Sequence, residues 1–130
     1  MIPHSALAFV DLDDLGSLND LDESWEDGDK ALCGVAAQLS EQFGHEYVAR
    51  WGADEYLEFA PLSTAQQLVD SLQKVLGHCR SELVVSGRPI TFSAGVTDII
   101  DCDVEAARAR AEKTVKRAKR SGTPVVIEDQ

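Results

Sequence analysis

The sequence predicts an α+β fold in which helices cover one face of a mostly antiparallel sheet. Three observations predict it. Short apolar runs typical of strands alternate with longer stretches of helical periodicity. The two central runs flank a tight turn, as in an antiparallel hairpin. A length of 130 residues, 44% of them hydrophobic, suits a single domain over residues 1–130 with two layers of secondary structure.

The first predicted strand is the compact apolar run over 5–10, which ends in Asp11. Its brevity and its flanks favour a buried central strand. The acidic stretch over 12–26 is predicted to be a loop with one short helical turn. A helix is predicted over 28–43, where Cys33 would be a small core residue. Its apolar stripe consists of Ala31, Leu32, Val35, Ala36, Leu39 and Phe43.

The next predicted elements are a hairpin over 46–60 and a second helix. Gly52 lies at the hairpin turn and gives it backbone freedom. Ser63 and Gln66 have the spacing of a capping box, which predicts a helix start there and an end near Cys79. The buried face of this helix is predicted to comprise Leu68, Leu72, Val75 and Leu76.

The last quarter of the chain predicts strands over 83–85 and 90–96, a helix over 104–120 and a closing strand over 124–127. The apolar side of that helix is predicted to comprise Val104, Ala107, Ala111, Val115 and Ala118.

Composition excludes several classes of protein. The net charge of −11 argues against a nucleic-acid duplex as partner. The chain has neither an apolar run of membrane-spanning length nor the basic and apolar start of a signal peptide, so we expect a cytoplasmic protein without a membrane partner. Three widely spaced cysteines make a zinc knuckle or a disulfide framework improbable.

The candidate site consists of carboxylates. If the first strand and the hairpin are neighbours in the sheet, Asp11 lies beside Asp54 and Glu55 at the hairpin tip. Carboxylates that converge with a backbone carbonyl suit Mg²⁺, and paired Mg²⁺ ions can activate a ribose hydroxyl and stabilise a pyrophosphate leaving group. Taken alone, Asp54 is explained by turn chemistry and Asp11 by strand-end capping, but together the two residues indicate a metal site. For Asp13, Asp14, Asp20 and Asp22, a solvated loop is the favoured interpretation.

Several motifs together resemble the GGDEF superfamily of nucleotide cyclases. The resemblance extends in order from about Ala6 to Ile127. The motifs that carry it are Phe9-Val10-Asp11-Leu12-Asp13, Asn19-Asp20, Gly28-Asp29, Arg50-Trp51-Gly52-Ala53-Asp54-Glu55-Tyr56, Thr91-Phe92-Ser93-Ala94-Gly95-Val96, and Ala111-Glu112-Lys113 through Ala118-Lys119-Arg120-Ser121-Gly122.

The resemblance implies a palm-type fold, ferredoxin-like in character, and a nucleotidyltransferase. Such an enzyme joins two nucleoside triphosphates, ATP or GTP, into a cyclic dinucleotide across a homodimer or a higher homo-oligomer. Carried over by position, Asp11, Asp54 and the Leu12 carbonyl hold Mg²⁺ or Mn²⁺, and Glu55 assists metal binding or deprotonation. The substrate-binding positions are Asn19 and Asp29 for the base, Gly52 and Ala53 at the turn, and Lys119, helped by Lys116, for the triphosphate.

The chain departs from the family pattern at several positions. Ala53 replaces the second Gly of the motif, and Gly16 and Thr123 replace common basic residues. Phe43 and Glu46 replace the Arg and Asp of the product-inhibition site, so feedback by cyclic di-GMP is not expected.

The chain also starts at its first strand, without the N-terminal helix and "LTGLxNR" segment of ordinary diguanylate cyclases. That architecture resembles the minimal CRISPR polymerases. It implies a stand-alone cyclase in anti-phage defence that makes cyclic di-AMP, which a separate effector reads.

Three alternatives remain open. Asn19 and Asp29 favour guanine, and therefore a diguanylate cyclase that makes cyclic di-GMP. Ala53 and the missing basic residues favour a degenerate, catalytically inactive module that binds a nucleotide or a partner. A relative that hydrolyses a triphosphate without joining two nucleotides is the third.

Overall fold

A computed structural model describes residues 5–14 and 26–128. Within these ranges, strands alternate with three helices, α1 (Glu26–Phe43), α2 (Ala65–Glu82) and α3 (Val104–Ser121). A 3-10 turn, His45–Tyr47, precedes the second strand. The strands are β1 (Ser5–Leu12), β2 (Val48–Gly52), β3 (Glu55–Pro61), β4 (Val84–Val85), β5 (Arg88–Pro89), β6 (Phe92–Asp98) and β7 (Val125–Ile127).

Five of these strands form one sheet in the order β2-β3-β1-β6-β7. β1 lies at its centre, antiparallel to both β3 and β6, and only β7 runs parallel to its neighbour β6. The predicted class, a mostly antiparallel sheet with helices packed on it, is confirmed. β4, which corresponds to the strand predicted over 83–85, pairs with β5 as a separate two-stranded hairpin outside this sheet. β5 is not among the predicted strands.

The helices cover both faces of the sheet, so the prediction of a single covered face is wrong. Ala8 and Val10 of β1 pack in a core with α1 and α2. Phe9 points the other way and packs against Ala111 and Val115 of α3. Alternate residues of a strand point to opposite faces of the sheet, so the apolar run of β1 places apolar side chains on both faces. A strand that is apolar on both faces needs cover on both.

α3 lies unusually close to β6 at Gly95. A Cβ atom on this residue would be 2.3 Å from the carbonyl oxygen of Ala111 and 2.5 Å from the nitrogen of Val115. Both are backbone atoms, so the lack of a side chain lets the helix backbone rest on the strand. This contact fixes the height of α3 above the sheet.

Some local predictions need correction. The capping box at the start of α2 uses Thr64 and Gln67, one residue later than predicted. Cys33 is exposed, whereas Cys79 of α2 is buried. Val104 begins α3 as predicted but is 50% exposed. The remaining predicted apolar residues of the three helices are buried or packed against the core.

Glu58 is a charged residue type in the interior. It lies on β3, paired with Ala8 and Val48, and it is fully buried. Neither carboxyl oxygen has a hydrogen-bond partner among the described residues. Burial raises the pKa of Glu58 to about 9, so its carboxyl group is protonated at neutral pH.

No helix in the described part of the chain has the length and hydropathy needed to cross a membrane.

Candidate active site

The candidate active site lies where β1 ends and β3 begins. The antiparallel register places Asp11 opposite Glu55. The backbone nitrogen of Leu12 donates to the carbonyl oxygen of Asp54 at 3.0 Å. The predicted proximity of Asp11 to the hairpin tip is therefore observed, and it follows from β1 and β3 being neighbours in the sheet.

Two interactions shape the hairpin tip. The Arg50 side chain donates to the carbonyl oxygens of Gly52 at 3.0 Å and Ala53 at 2.7 Å, and so closes the turn. The Glu55 carboxylate folds back over Gly52, where a Cβ atom would lie 2.1 Å from Oε1. Ala53 is exposed and its φ is negative, so the turn does not require a second glycine there.

Asp13 belongs to the site, although the sequence favoured a solvated loop residue. It is half-buried, and its carboxylate accepts hydrogen bonds from Thr91 Oγ1 at 2.8 Å and Ser93 Oγ at 2.9 Å. Its backbone nitrogen also donates to the Thr91 carbonyl oxygen at 3.0 Å. The sequence did contain a signal for this role of Asp13. Thr91 and Ser93 of the Thr-x-Ser strand place two hydroxyl groups on one face, because strand side chains alternate.

Lys119 reaches this cluster from the last turns of α3. Its Nζ atom lies 3.6 Å from Asp11 Oδ1 and 3.4 Å from Asp13 Oδ1. Lys119 also borders an open pocket of about 400 Å³ together with Asp13, Ser93 and Arg80. Lys116 is exposed, and it is not among the described side chains that form ion pairs with the carboxylates of the site.

The carboxylates influence one another. Burial raises the pKa of Asp11 to about 6, the charges of Asp54 and Glu55 add to the rise, and Lys119 opposes it. The pKa of Glu55 is also raised, first by burial and then by the charges of Asp54 and Glu112. A cation bound among these groups would relieve this repulsion.

The donor set fits a hard divalent cation in its chemistry. Asp11, Asp54 and Glu55 offer carboxylate oxygens and Leu12 a carbonyl, the ligands that Mg²⁺ prefers. Within residues 5–14 and 26–128, however, no three acidic, histidine or cysteine side chains are already drawn together around one point. Lys119 supplies the positive charge beside Asp11 instead. A metal ion would therefore have to gather the carboxylates itself.

The two predicted base-recognition residues have different outcomes. Asp29 is exposed in the first turn of α1. Asn19 lies outside the described residues, as do Gly16, Asp20, Asp22 and most of the predicted loop over 12–26.

The chain as a whole matches one protein family. A family model described as "Diguanylate cyclase, GGDEF domain" matches residues 3–124. The comparison with curated proteins found no match.

Solved structures similar to this chain share its fold. The active GGEEF domain of a diguanylate cyclase from Vibrio cholerae has a TM-score of 0.87 at 18% identity, with 98% of this chain and 85% of that one covered. The GGDEF domain of DgcB from Caulobacter crescentus, in complex with c-di-GMP, has a TM-score of 0.82 at 22% identity over 95% and 76%. The diguanylate cyclase SiaD of Pseudomonas aeruginosa, in complex with its activator SiaC, has a TM-score of 0.80 at 28% identity. The match covers 95% of this chain but only 49% of SiaD.

These matches bear on the sequence-based interpretation. They support the GGDEF resemblance, and they consist of diguanylate cyclases and of a domain bound to c-di-GMP. They give no support to a minimal CRISPR polymerase, to cyclic di-AMP or to a role in anti-phage defence. The diguanylate cyclase alternative therefore fits them better than the cyclic di-AMP interpretation does.

Proposed function

Because the chain belongs to the GGDEF domain family of diguanylate cyclases, we propose that it joins two GTP molecules into cyclic di-GMP and releases pyrophosphate. One observation carries the proposal. Asp11 lies opposite Glu55 and next to Asp54, and Lys119 contacts Asp11 from α3. Acidic groups for a metal ion and a cation for a phosphate chain thus meet at the end of the central strand β1.

Each residue has a role in this proposal. Asp11, Asp54 and the Leu12 carbonyl hold Mg²⁺, or Mn²⁺ in its place, and Glu55 assists. Bound Mg²⁺ would neutralise charge on the phosphates and on the attacking ribose oxygen. The raised pKa of Glu55 suits a group that accepts the ribose hydroxyl proton. Lys119 binds the triphosphate, which requires it to leave Asp11 when substrate and metal arrive.

Substrate choice and assembly complete the proposal. Asn19 and Asp29 contact the guanine base, and Lys116 assists Lys119. Gly52 and Ala53 border the nucleotide at the turn. One GTP binds to each protomer of a homodimer, because two facing sites are needed to close a cyclic product. A separate effector reads the product.

Ala53 motivates a second candidate function, a nucleotide-binding module without catalysis. Since the turn forms without a second glycine, the exposed methyl group of Ala53 does not disturb the fold of the protein itself. It can only affect a nucleotide that passes close to the backbone there. The substitution Ala53→Gly therefore separates the two functions: a gain in turnover would show that the methyl group hinders catalysis.

The test is product identification. The purified protein is incubated with Mg²⁺ and all four nucleoside triphosphates, and products are identified by mass spectrometry with a parallel pyrophosphate assay. We expect cyclic di-GMP. Asp11→Asn and Asp54→Asn should each lower turnover at least about 100-fold, whereas Asp70→Asn, an exposed carboxylate on α2, should not.

Other products have clear meanings. Cyclic di-AMP would overturn the choice of base. A linear monomeric product, with no joined nucleotides, would indicate triphosphate hydrolysis. Saturable GTP binding without pyrophosphate, in both the natural protein and Ala53→Gly, would establish the non-catalytic module.

A further inference from the structure

Trp51 occupies an irregular position just before the hairpin tip. The pairing of β2 with β3 passes from Arg50 opposite Tyr56 to Gly52 opposite Glu55, so Trp51 is the extra residue of a β-bulge. Bulges turn a side chain away from the direction that regular pairing would give it. Trp51 is 49% exposed, so burial in the core does not hold its ring.

Arg108 of α3 covers that ring. Its guanidinium carbon lies 4.8 Å from the ring centre of Trp51, within the range of a cation–π interaction. Two carboxylates fix the guanidinium: Glu105 Oε1 accepts from Nε at 3.0 Å and from Nη2 at 2.6 Å, and Glu112 Oε1 accepts from Nη1 at 3.0 Å. The Arg108 side chain is only 15% exposed. A planar group held on two sides keeps its orientation.

α3 thereby contacts both parts of the candidate site, the end of β1 and the β2–β3 hairpin. Glu112 follows Arg108 by about one helical turn, and Lys119 follows Glu112 by about two. Lys119 contacts Asp11 and Asp13 at the end of β1. Arg108 contacts the hairpin three residues before Asp54. The distance between the two halves depends on α3, which rests on β6 at Gly95.

We propose that Arg108 is a positioning residue: through the Trp51 ring it holds the β2–β3 hairpin tip against α3, so that Asp54 and Glu55 keep their places beside Asp11. The proposal rests on the proposed function only in naming what is positioned, a set of metal-binding carboxylates. The contact between Arg108 and Trp51 does not depend on the reaction.

The test is a double-mutant cycle read by metal affinity. Arg108→Ala, Trp51→Leu and the double variant are compared with the natural protein, and the dissociation constant of Mn²⁺ alone is measured by electron paramagnetic resonance without nucleotide. We expect each single variant to bind Mn²⁺ about tenfold more weakly, and the double variant to be no worse than either. Trp51→Phe, which keeps an aromatic face, should bind Mn²⁺ nearly as the natural protein does.

Arg110→Ala is the matched control. Arg110 is also on α3 and also paired, with Glu128 at 3.2 Å and the Asp98 carbonyl at 2.9 Å, but on the other side of the helix. The Arg110→Ala substitution should lower the melting temperature without changing the Mn²⁺ dissociation constant. If Arg108→Ala behaves like Arg110→Ala, or if the effects of Arg108→Ala and Trp51→Leu simply add, Arg108 is not a positioning residue.

A second measurement keeps the two proposals separate. If the natural protein binds no Mn²⁺ without nucleotide, amide hydrogen exchange of residues 52–55 decides the role of Arg108 in the same cycle, and product identification decides the proposed function. Faster exchange in Arg108→Ala and Trp51→Leu, non-additive and restored by Trp51→Phe, would support it. Unchanged exchange would overturn it.

Discussion

At the scale of single residues, the absence of a side chain at Gly52 leaves room for the Glu55 carboxylate. A Cβ atom at position 52 would be 2.1 Å from the Glu55 carboxylate, which is the far end of a flexible side chain. The backbone of Gly52 does not adopt a positive φ, so alanine fits the turn itself. The carboxylate therefore has to move while the strands stay in place.

We accordingly predict that Gly52→Ala loses at least about tenfold in turnover while its free energy of unfolding changes by less than about 1 kcal/mol. Turnover assays and urea titrations check this. Gly77→Ala is the matched control: it lies on α2 with nothing within 4 Å of the new methyl group. It should keep full turnover and gain about 0.5–1 kcal/mol. Full turnover in Gly52→Ala would show that Glu55 is not needed where it lies.

Glu58 gives a pH dependence with a definite sign. Its pKa rises from 4.5 to about 9 on folding, so between these values the folded state binds a proton that the unfolded state lacks. Its contribution to stability is thus fully present below the unfolded pKa, declines as the pH rises, and is lost once the pH passes the folded pKa.

We expect Glu58→Gln to remove this decline. The free energy of unfolding, measured in urea at several pH values from 5 to 9, should fall more steeply in the natural protein, by up to about 1.4 kcal/mol per pH unit. Other titrating groups cancel in the difference between the two proteins. Parallel pH profiles would mean that Glu58 finds a partner or water.

At the scale of elements, α3 is held at a fixed height by Gly95. A methyl group there meets backbone atoms of Ala111 and Val115, which cannot rotate away. Gly95→Ala should therefore displace the helix and withdraw Lys119 from Asp11 and Asp13.

We predict that Gly95→Ala lowers the free energy of unfolding by about 2–3 kcal/mol and lowers turnover with it, as urea titrations and activity assays would show. Gly77→Ala again serves as the control. An unchanged free energy of unfolding would show that α3 can shift on β6 without loss of packing.

The positions of the helices and their buried faces were predictable from the sequence. Which helix covers which face of the sheet was not. Helical periodicity is a local property, and it located the three helices and most of their buried residues. Which sheet face a helix covers depends on the path of the chain between elements. The opposite directions of Ala8 and Phe9 indicate only that both faces need cover.

At the scale of the whole molecule, the proposed cyclase needs two protomers. A single site holds one substrate, so the product forms only where two sites face each other. Turnover per protomer should therefore fall on dilution, in step with the dimer fraction measured by sedimentation. A protein that remains monomeric and still makes the cyclic product at constant turnover per protomer would contradict the proposed geometry.

The sequence by itself determined the three predicted helices and every strand but β5, in their order, together with the family motifs and the expectation that Asp11 would meet the hairpin tip. These depend on residue spacing and on strand neighbours. Only the tertiary structure decided the role of Asp13, which accepts hydrogen bonds from Thr91 and Ser93, 78 and 80 positions later in the chain. The same holds for the contact of Arg108 with Trp51. Contacts of such separation depend on how the elements pack, and the pKa of Asp11 depends on the burial and neighbouring charges that packing creates.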